Sequence, residues 1–132
     1  MDTRAKIIDL PKAVALAVEA RAAGRRLIVA DGCFDVLRAA HTRFLERLRS
    51  DGALLLVAVY DDATLCQLLS QAQPILSAPA RAQMVAALAS VDYVLLWPAS
   101  SLDRLLSELH PDQAEHVPEG RNIIGEILDR HK

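Results

Sequence analysis

The chain has 132 residues, 52% of them hydrophobic but only 4% aromatic, and a net charge of −2. That is enough chain for one domain spanning residues 1–132, with a core built on Ala, Leu, Val and Ile rather than on rings. The charge balance argues against a nucleic-acid partner, which selects a basic face. The longest apolar run, ALLLVAVY, is far too short to span a bilayer.

The opening MDTRAKIIDL has no apolar signal core, and Cys33 and Cys66 stand far apart with neither a C-x-x-C nor a zinc-ligand spacing. Both features point to a reducing, cytoplasmic setting away from membranes. In chain order, residues 12–23 read as an Ala-rich helix that Gly24 is placed to end. RLIVA (26–30) is a short, almost wholly apolar strand of the kind buried on both faces. A helix follows over 41–49, with Phe44, Leu45 and Leu48 on one side.

ALLLVAVY (53–60) is a second buried strand, and 63–69 a short helix. Ser77 reads as the N-cap of the next helix and Pro79 as a first-turn residue, where a missing N–H costs little. DYVLLW (92–97) is a third strand. Ser100 and Asp103 have the spacing of a capping box for the helix SLDRLLSELH, which Pro111 stops. DQAEHV (112–117) reads as an edge strand, and GRNIIGEILDR closes the sequence as a helix with Ile123, Ile124, Ile127 and Leu128 on one face.

Buried strands alternating with helices imply a doubly wound parallel α/β sheet with helices on both faces. Ligands in such sheets bind beyond the carboxyl ends of the strands, near the point where strand order reverses. The loops that matter are therefore 31–40, 61–63 and 97–101. In the first, Gly32 lets backbone approach a ligand, Asp35 is placed to orient a base or help hold magnesium, and His41 opens a helix whose N-terminus favours phosphate oxygens. His110, Asp112 and His116 match no metal-ligand spacing, so no protein-held metal is expected.

GCFDVLRAAHTRFLERLRSDGALLLVAVYDDATL resembles the opening of the cytidylyltransferase-like nucleotidyltransferases, and PILSAPARAQMVAALASVDYVLLW resembles a later segment of the same family. The nearest likeness is to the adenylyltransferase domain of ADP-heptose synthases and to glycerol-3-phosphate cytidylyltransferase. The resemblance implies a Rossmann-like, five-stranded parallel sheet. The reaction it implies is attack of a phosphorylated alcohol on the α-phosphate of CTP or ATP, with magnesium and loss of pyrophosphate. Carried onto this sequence, it makes His41 and Arg38 the catalytic positions. Gly32, Cys33, Phe34, Asp35, Arg121 and Asn122 become nucleotide- or phosphate-binding, and Asp62 and Arg81 acceptor-binding. It also implies a homodimer.

The family's loop reads G-x-F-D-x-x-H-x-G-H. Here Arg38 stands for the first histidine and Ala40 for the glycine; Leu69 and Gln73 stand where a lysine and an arginine are expected. QAEHVPEG replaces a K-G-G-D turn, and the closing helix lacks its usual serines and threonines. Arginine keeps the charge at position 38 but cannot exchange a proton near neutral pH. Loss of one preorganised donor typically costs about 3–4 kcal/mol of transition-state stabilisation. The expectation is a nucleotidyltransferase-like protein with weakened or lost activity. The alternatives are a non-catalytic nucleotide- or phosphate-binding module and a partner-binding relic.

Overall fold

The computed structural model describes residues 2–49 and 52–118. Strands β1 (Leu27–Gly32) and β2 (Leu54–Tyr60) are buried at every position. Strands β3 (Tyr93–Trp97) and β4 (Gln113–His116) are only partly covered. The apolar runs thus become the two central strands of a parallel sheet in the order β3-β2-β1-β4. Helices α1 (Leu10–Ala22), α2 (Ala39–Leu48), α3 (Asp62–Leu69), α4 (Ala78–Ala86) and α5 (Leu102–Leu109) connect them.

Alternate strand residues feed two cores. Ile28, Ala30, Leu55 and Val57 pack with Leu45 of α2 and Ala82 and Val85 of α4. Leu27, Val29, Leu54 and Leu56 pack with Ala13, Ala17 and Ala20 of α1 and with Leu105 and Leu109 of α5. The period of two along a strand produces this division, and small alanines let α1 lie close. Helix α1 begins on Asp9, whose Oδ1 accepts the Lys12 N–H at 3.0 Å. It ends as the sequence implies: Gly24 takes φ 67°, and the amides of Gly24 and Arg25 donate to the carbonyls of Arg21 and Ala20.

Three expectations are corrected. Four strands, not five, are present among the described residues. Beyond β3 the sheet continues only as a bridge between Ile7 and Val94, because Asp9 caps α1 at once and turns the chain into helix. Helix α2 starts at Ala39, two residues before His41, since alanines extend a helix readily. Ser100 caps nothing: it lies inside a 3-10 turn, Ala99–Ser101, that leads into α5 without a side-chain cap. The closing helix expected over 120–130 lies outside the described residues.

Asp92 and Asp112, each one residue before an edge strand, clamp the register in the same way. The Asp92 N–H donates to Leu55 O at 3.0 Å while its Oδ2 accepts the Leu55 N–H at 2.8 Å. The Asp112 N–H donates to Leu27 O at 2.9 Å while its Oδ2 accepts the Leu27 N–H at 2.8 Å. These carboxylates serve backbone donors at the strand starts that would otherwise be bare.

Candidate functional site

Strand order reverses between β1 and β4: β2 and β3 follow β1 to one side, whereas β4 lies on the other. The crevice above the carboxyl ends of these two strands is where a doubly wound sheet receives ligands. The loop after β1, carrying Cys33, Phe34, Asp35 and Arg38, starts there and runs into α2.

Buried polar bonds hold that loop. Gly32 is the last residue of β1, and Cys33 and Phe34 are buried. Phe34 adopts φ 53°, a left-handed conformation that costs a non-glycine residue about 1–2 kcal/mol. Asp35 is also buried, and its Oδ1 and Oδ2 accept the N–H groups of Leu76 at 2.9 Å and Ile75 at 3.1 Å. Both oxygens are therefore committed to backbone, tying the segment before α4 to the loop. This corrects the expectation of a magnesium-holding or base-orienting Asp35.

Arg81 is a second correction. Expected as a helix-leading residue free to grip an acceptor phosphate, it is 0% exposed. Its Nε donates to Leu76 O at 3.0 Å, its Nη1 to Cys33 O at 2.6 Å and Tyr60 O at 2.7 Å, and its Nη2 to Asp62 Oδ1 at 2.7 Å. Four of the five donors of a guanidinium thus brace the β1 loop, the end of β2 and the entry to α4. Asp62 carries that ion pair and stays about half exposed. The neighbouring Asp61 caps α3, accepting the Thr64 N–H at 2.9 Å.

His41, the third residue of α2, turns back on the helix start: its Nδ1 accepts the Arg38 N–H at 3.1 Å. That bond leaves the ring proton on Nε2. The ring meets Phe34 edge-on at 5.8 Å between centroids. Burial, and then the Arg38 charge, push its pKa below the ordinary 6.5, so the ring is neutral at pH 7. The expected imidazole projecting from the helix end is instead a largely buried capping group, because the helix begins two residues earlier. Arg38 is half buried, and its guanidinium makes no hydrogen bond or ion pair among the described residues. Ala40 lies within α2, so the methyl in place of glycine brings no left-handed strain.

The sequence reading gave no binding role to Asp31, Tyr60 or His116. Asp31 and His116 are register partners at the carboxyl ends of β1 and β4. Asp31 is 1% exposed; its Oδ1 receives the Tyr60 hydroxyl and lies 2.7 Å from His116 Nδ1. Its Oδ2 is buried without a hydrogen-bond partner among the described residues. The His116 side chain is 77% exposed, and its bond to Asp31, reinforced by that carboxylate's charge, raises its pKa above 6.5. A polar Asp–Gly after an apolar run, and a histidine in a weak strand, were the available signals.

The structure therefore brings together Gly32, Cys33, Phe34, Asp35, Arg38 and His41 on one loop and helix start, with Arg81 and Asp62 beneath them. Arg121 and Asn122 lie outside the described residues. Among the described residues no group of three His, Cys, Asp or Glu side chains converges as a metal site. With Asp35 also bonded to backbone amides, the described side chains do not fit a protein-held magnesium. Leu69, in place of the family's lysine, packs against the apolar cluster of Cys33, Tyr60 and Leu65.

The family model for cytidylyltransferase-like proteins matches residues 29–128. The bifunctional protein HldE of Halorhodospira halophila is 37% identical over 107 residues, 81% of this chain and 22% of that protein. HldE of Pseudomonas paraeruginosa is 40% identical over 98 residues, 74% of this chain and 21% of that protein. The chain thus spans about a fifth of the length of these curated relatives. The crystal structure of the lipopolysaccharide core biosynthesis protein from Thermoplasma volcanium superposes with a TM-score of 0.64 at 23% identity, covering 80% of this chain and 84% of that one. That last likeness establishes the fold.

Proposed function

Because the chain belongs to the cytidylyltransferase-like family, we propose that it binds a nucleoside triphosphate, CTP or ATP, above the β1–β4 crevice. Transfer of CMP or AMP to a sugar phosphate or polyol phosphate is weakened or lost in this reading. The observation that carries it is the loop 32–38, braced at the switch point by Asp35 and Arg81 and delivered to a helix start where His41 keeps a donor on Nε2. A preformed loop of N–H groups at a helix N-terminus suits phosphate oxygens.

The same geometry supports weak transfer. Phosphoryl-group chemistry of this kind depends on positioning and on neutralising developing charge. The rim's most central cation, Arg81, is occupied by carbonyls and Asp62, and position 69 offers an apolar side chain. Magnesium in this reading is carried by the triphosphate rather than seated by protein side chains. A small phosphorylated acceptor, a homodimeric state and a cytoplasmic setting belong to the same proposal. Among the described residues no helix is long and apolar enough to cross a membrane.

The test is a thermal-shift panel of CTP, ATP and phosphosugars with and without magnesium, followed by a pyrophosphate-release assay on the same mixtures. At a hundred times its dissociation constant a ligand stabilises by about 2.7 kcal/mol, on the order of 10 °C for a domain of this size. The expected result is a shift with CTP or ATP and little pyrophosphate. Turnover near ten per second, ordinary for an enzyme, contradicts the loss of transfer. Absence of any nucleotide shift contradicts the reading itself.

A further inference from the structure

Three features of the β1–β4 crevice have no part in the reading above. The first is the position of the pair Asp31–His116. The two residues are register partners on the strands that flank the switch point, and the Val117 N–H also donates to Asp31 O at 2.8 Å. The pair spans the place where the strand order opens for a ligand.

The second is the pair's asymmetry. Asp31 is buried and cannot swing, since its Oδ1 also receives the Tyr60 hydroxyl. Among the described residues His116 is anchored only through Nδ1, and 77% of its side chain is exposed. A carboxylate on one ring nitrogen fixes the ring's orientation and leaves the other nitrogen to face outward. Nε2 has no partner among the described residues. The third feature is Asp31 Oδ2, a buried carboxylate oxygen without a hydrogen-bond partner among the described residues. A negative charge so held repels an arriving phosphate unless a cation stands between them. The His116 ring is the group so placed.

We propose that His116, held by Asp31 across the β1–β4 crevice, is a ligand-contacting residue of the nucleotide site, its Nε2–H donating to a phosphate oxygen of the bound triphosphate. The proposal rests on the nucleotide reading above and names the cation that replaces those the loop lacks. In the complex the ring carries both protons, one shared with Asp31 and one with the phosphate. The carboxylate that raises the ring's pKa favours that state, and Glu115 acts in the same direction. Among the described residues, the charged and titratable groups bearing on the ring are Asp31, Glu115 and, through Asp31, Tyr60.

The experiment measures dissociation constants of ATP, CTP and inorganic tripolyphosphate by calorimetry at pH 6.5 and pH 8 for the wild type, His116→Gln and His116→Lys. In parallel, the His116 ring nitrogens are followed by NMR, assigned by their absence from His116→Gln. Loss of a charge-assisted hydrogen bond predicts binding about tenfold weaker or more in His116→Gln at pH 6.5. His116→Lys recovers affinity, wild-type affinity falls from pH 6.5 to pH 8, and ATP moves the Nε2 resonance. If the wild type binds ATP or CTP while His116→Gln binds as well and the ring resonances stay still, the assignment is overturned and the nucleotide reading survives. If the wild type binds none of the three probes, both fall.

Discussion

At the amino rim of the sheet, charged side chains close the ends of strands and helices; at the carboxyl rim, Asp35 and Arg81 are drawn inward to brace a loop while His116 stays exposed. Asp92 takes the Leu55 amide and pairs with Arg49 at 3.0 Å, with both partners partly in water. Arg21 donates to the carbonyls of Leu109 and His110, Arg25 to Gly52 O, and Arg26 to Gln113. A cavity of about 190 Å³ lies among Arg21, Arg25, Arg26 and Asp112, yet each of these residues already serves the backbone or a neighbouring side chain. At the carboxyl rim Arg81 and Asp35 are buried, while Arg38 and His116 keep donors without a partner among the described residues. A count of cations therefore locates no ligand site; what matters is which cations the fold has not already used.

The sharpest way to break this comparison is Arg81→Met. Removing the buried guanidinium leaves three carbonyls without their donor while Asp62 stays half exposed to water, with an expected loss of about 1–3 kcal/mol for each carbonyl cut off from water, read by denaturant unfolding. A loss under 1 kcal/mol would show that the brace is idle. Asp35→Ala comes next: it leaves the Ile75 and Leu76 amides bare at about 1–3 kcal/mol for each one cut off from water, read by the same unfolding curves. At the amino rim Asp92→Ala is expected to cost about 1–2 kcal/mol through the Leu55 amide. Arg49→Ala, which removes only an exposed ion pair, is expected to cost less than about 1 kcal/mol.

The smallest effect is a pair of opposed pH dependences. The folded-state pKa of His41 lies below 6.5, so the native state loses stability as pH falls through 6.5 and the unfolded chain takes the proton first. The folded-state pKa of His116 lies above 6.5; its contribution is complete below 6.5 and is lost as pH rises through the raised value. Unfolding free energies between pH 5 and pH 8 should show His41→Gln removing an acid-side loss and His116→Gln removing an acid-side gain. Parallel profiles for the two variants would contradict the assignments.

The central strands were legible because an all-apolar run such as LLLVAVY suits a position covered on both faces. Gly24 and Ser77 were legible because helix ends need a left-handed residue or a short oxygen-bearing side chain. The start of α2 was not, because an arginine in the capping position with a histidine folding back onto it is outside the usual capping chemistry. The burial of Arg81 was not legible because arginine is almost never fully buried; only the convergence of three carbonyls and Asp62 accounts for it. Asp31 and His116 stand 85 residues apart, and only strand register makes them neighbours. The likeness to a nucleotidyltransferase loop located the rim. It made His41 and Arg38 catalytic and gave binding roles to Asp35 and Arg81, two side chains that the fold uses for itself.

The most direct measurement is amide chemical-shift mapping of the uniformly labelled protein on addition of ATP and, separately, CTP. The account predicts shifts concentrated in 32–41, at Asp62 and at the end of β4, with Arg21, Arg25, Asp92 and Asp112 unmoved. Shifts centred on the arginine-lined cavity at the amino rim, or none with either nucleotide, would contradict it.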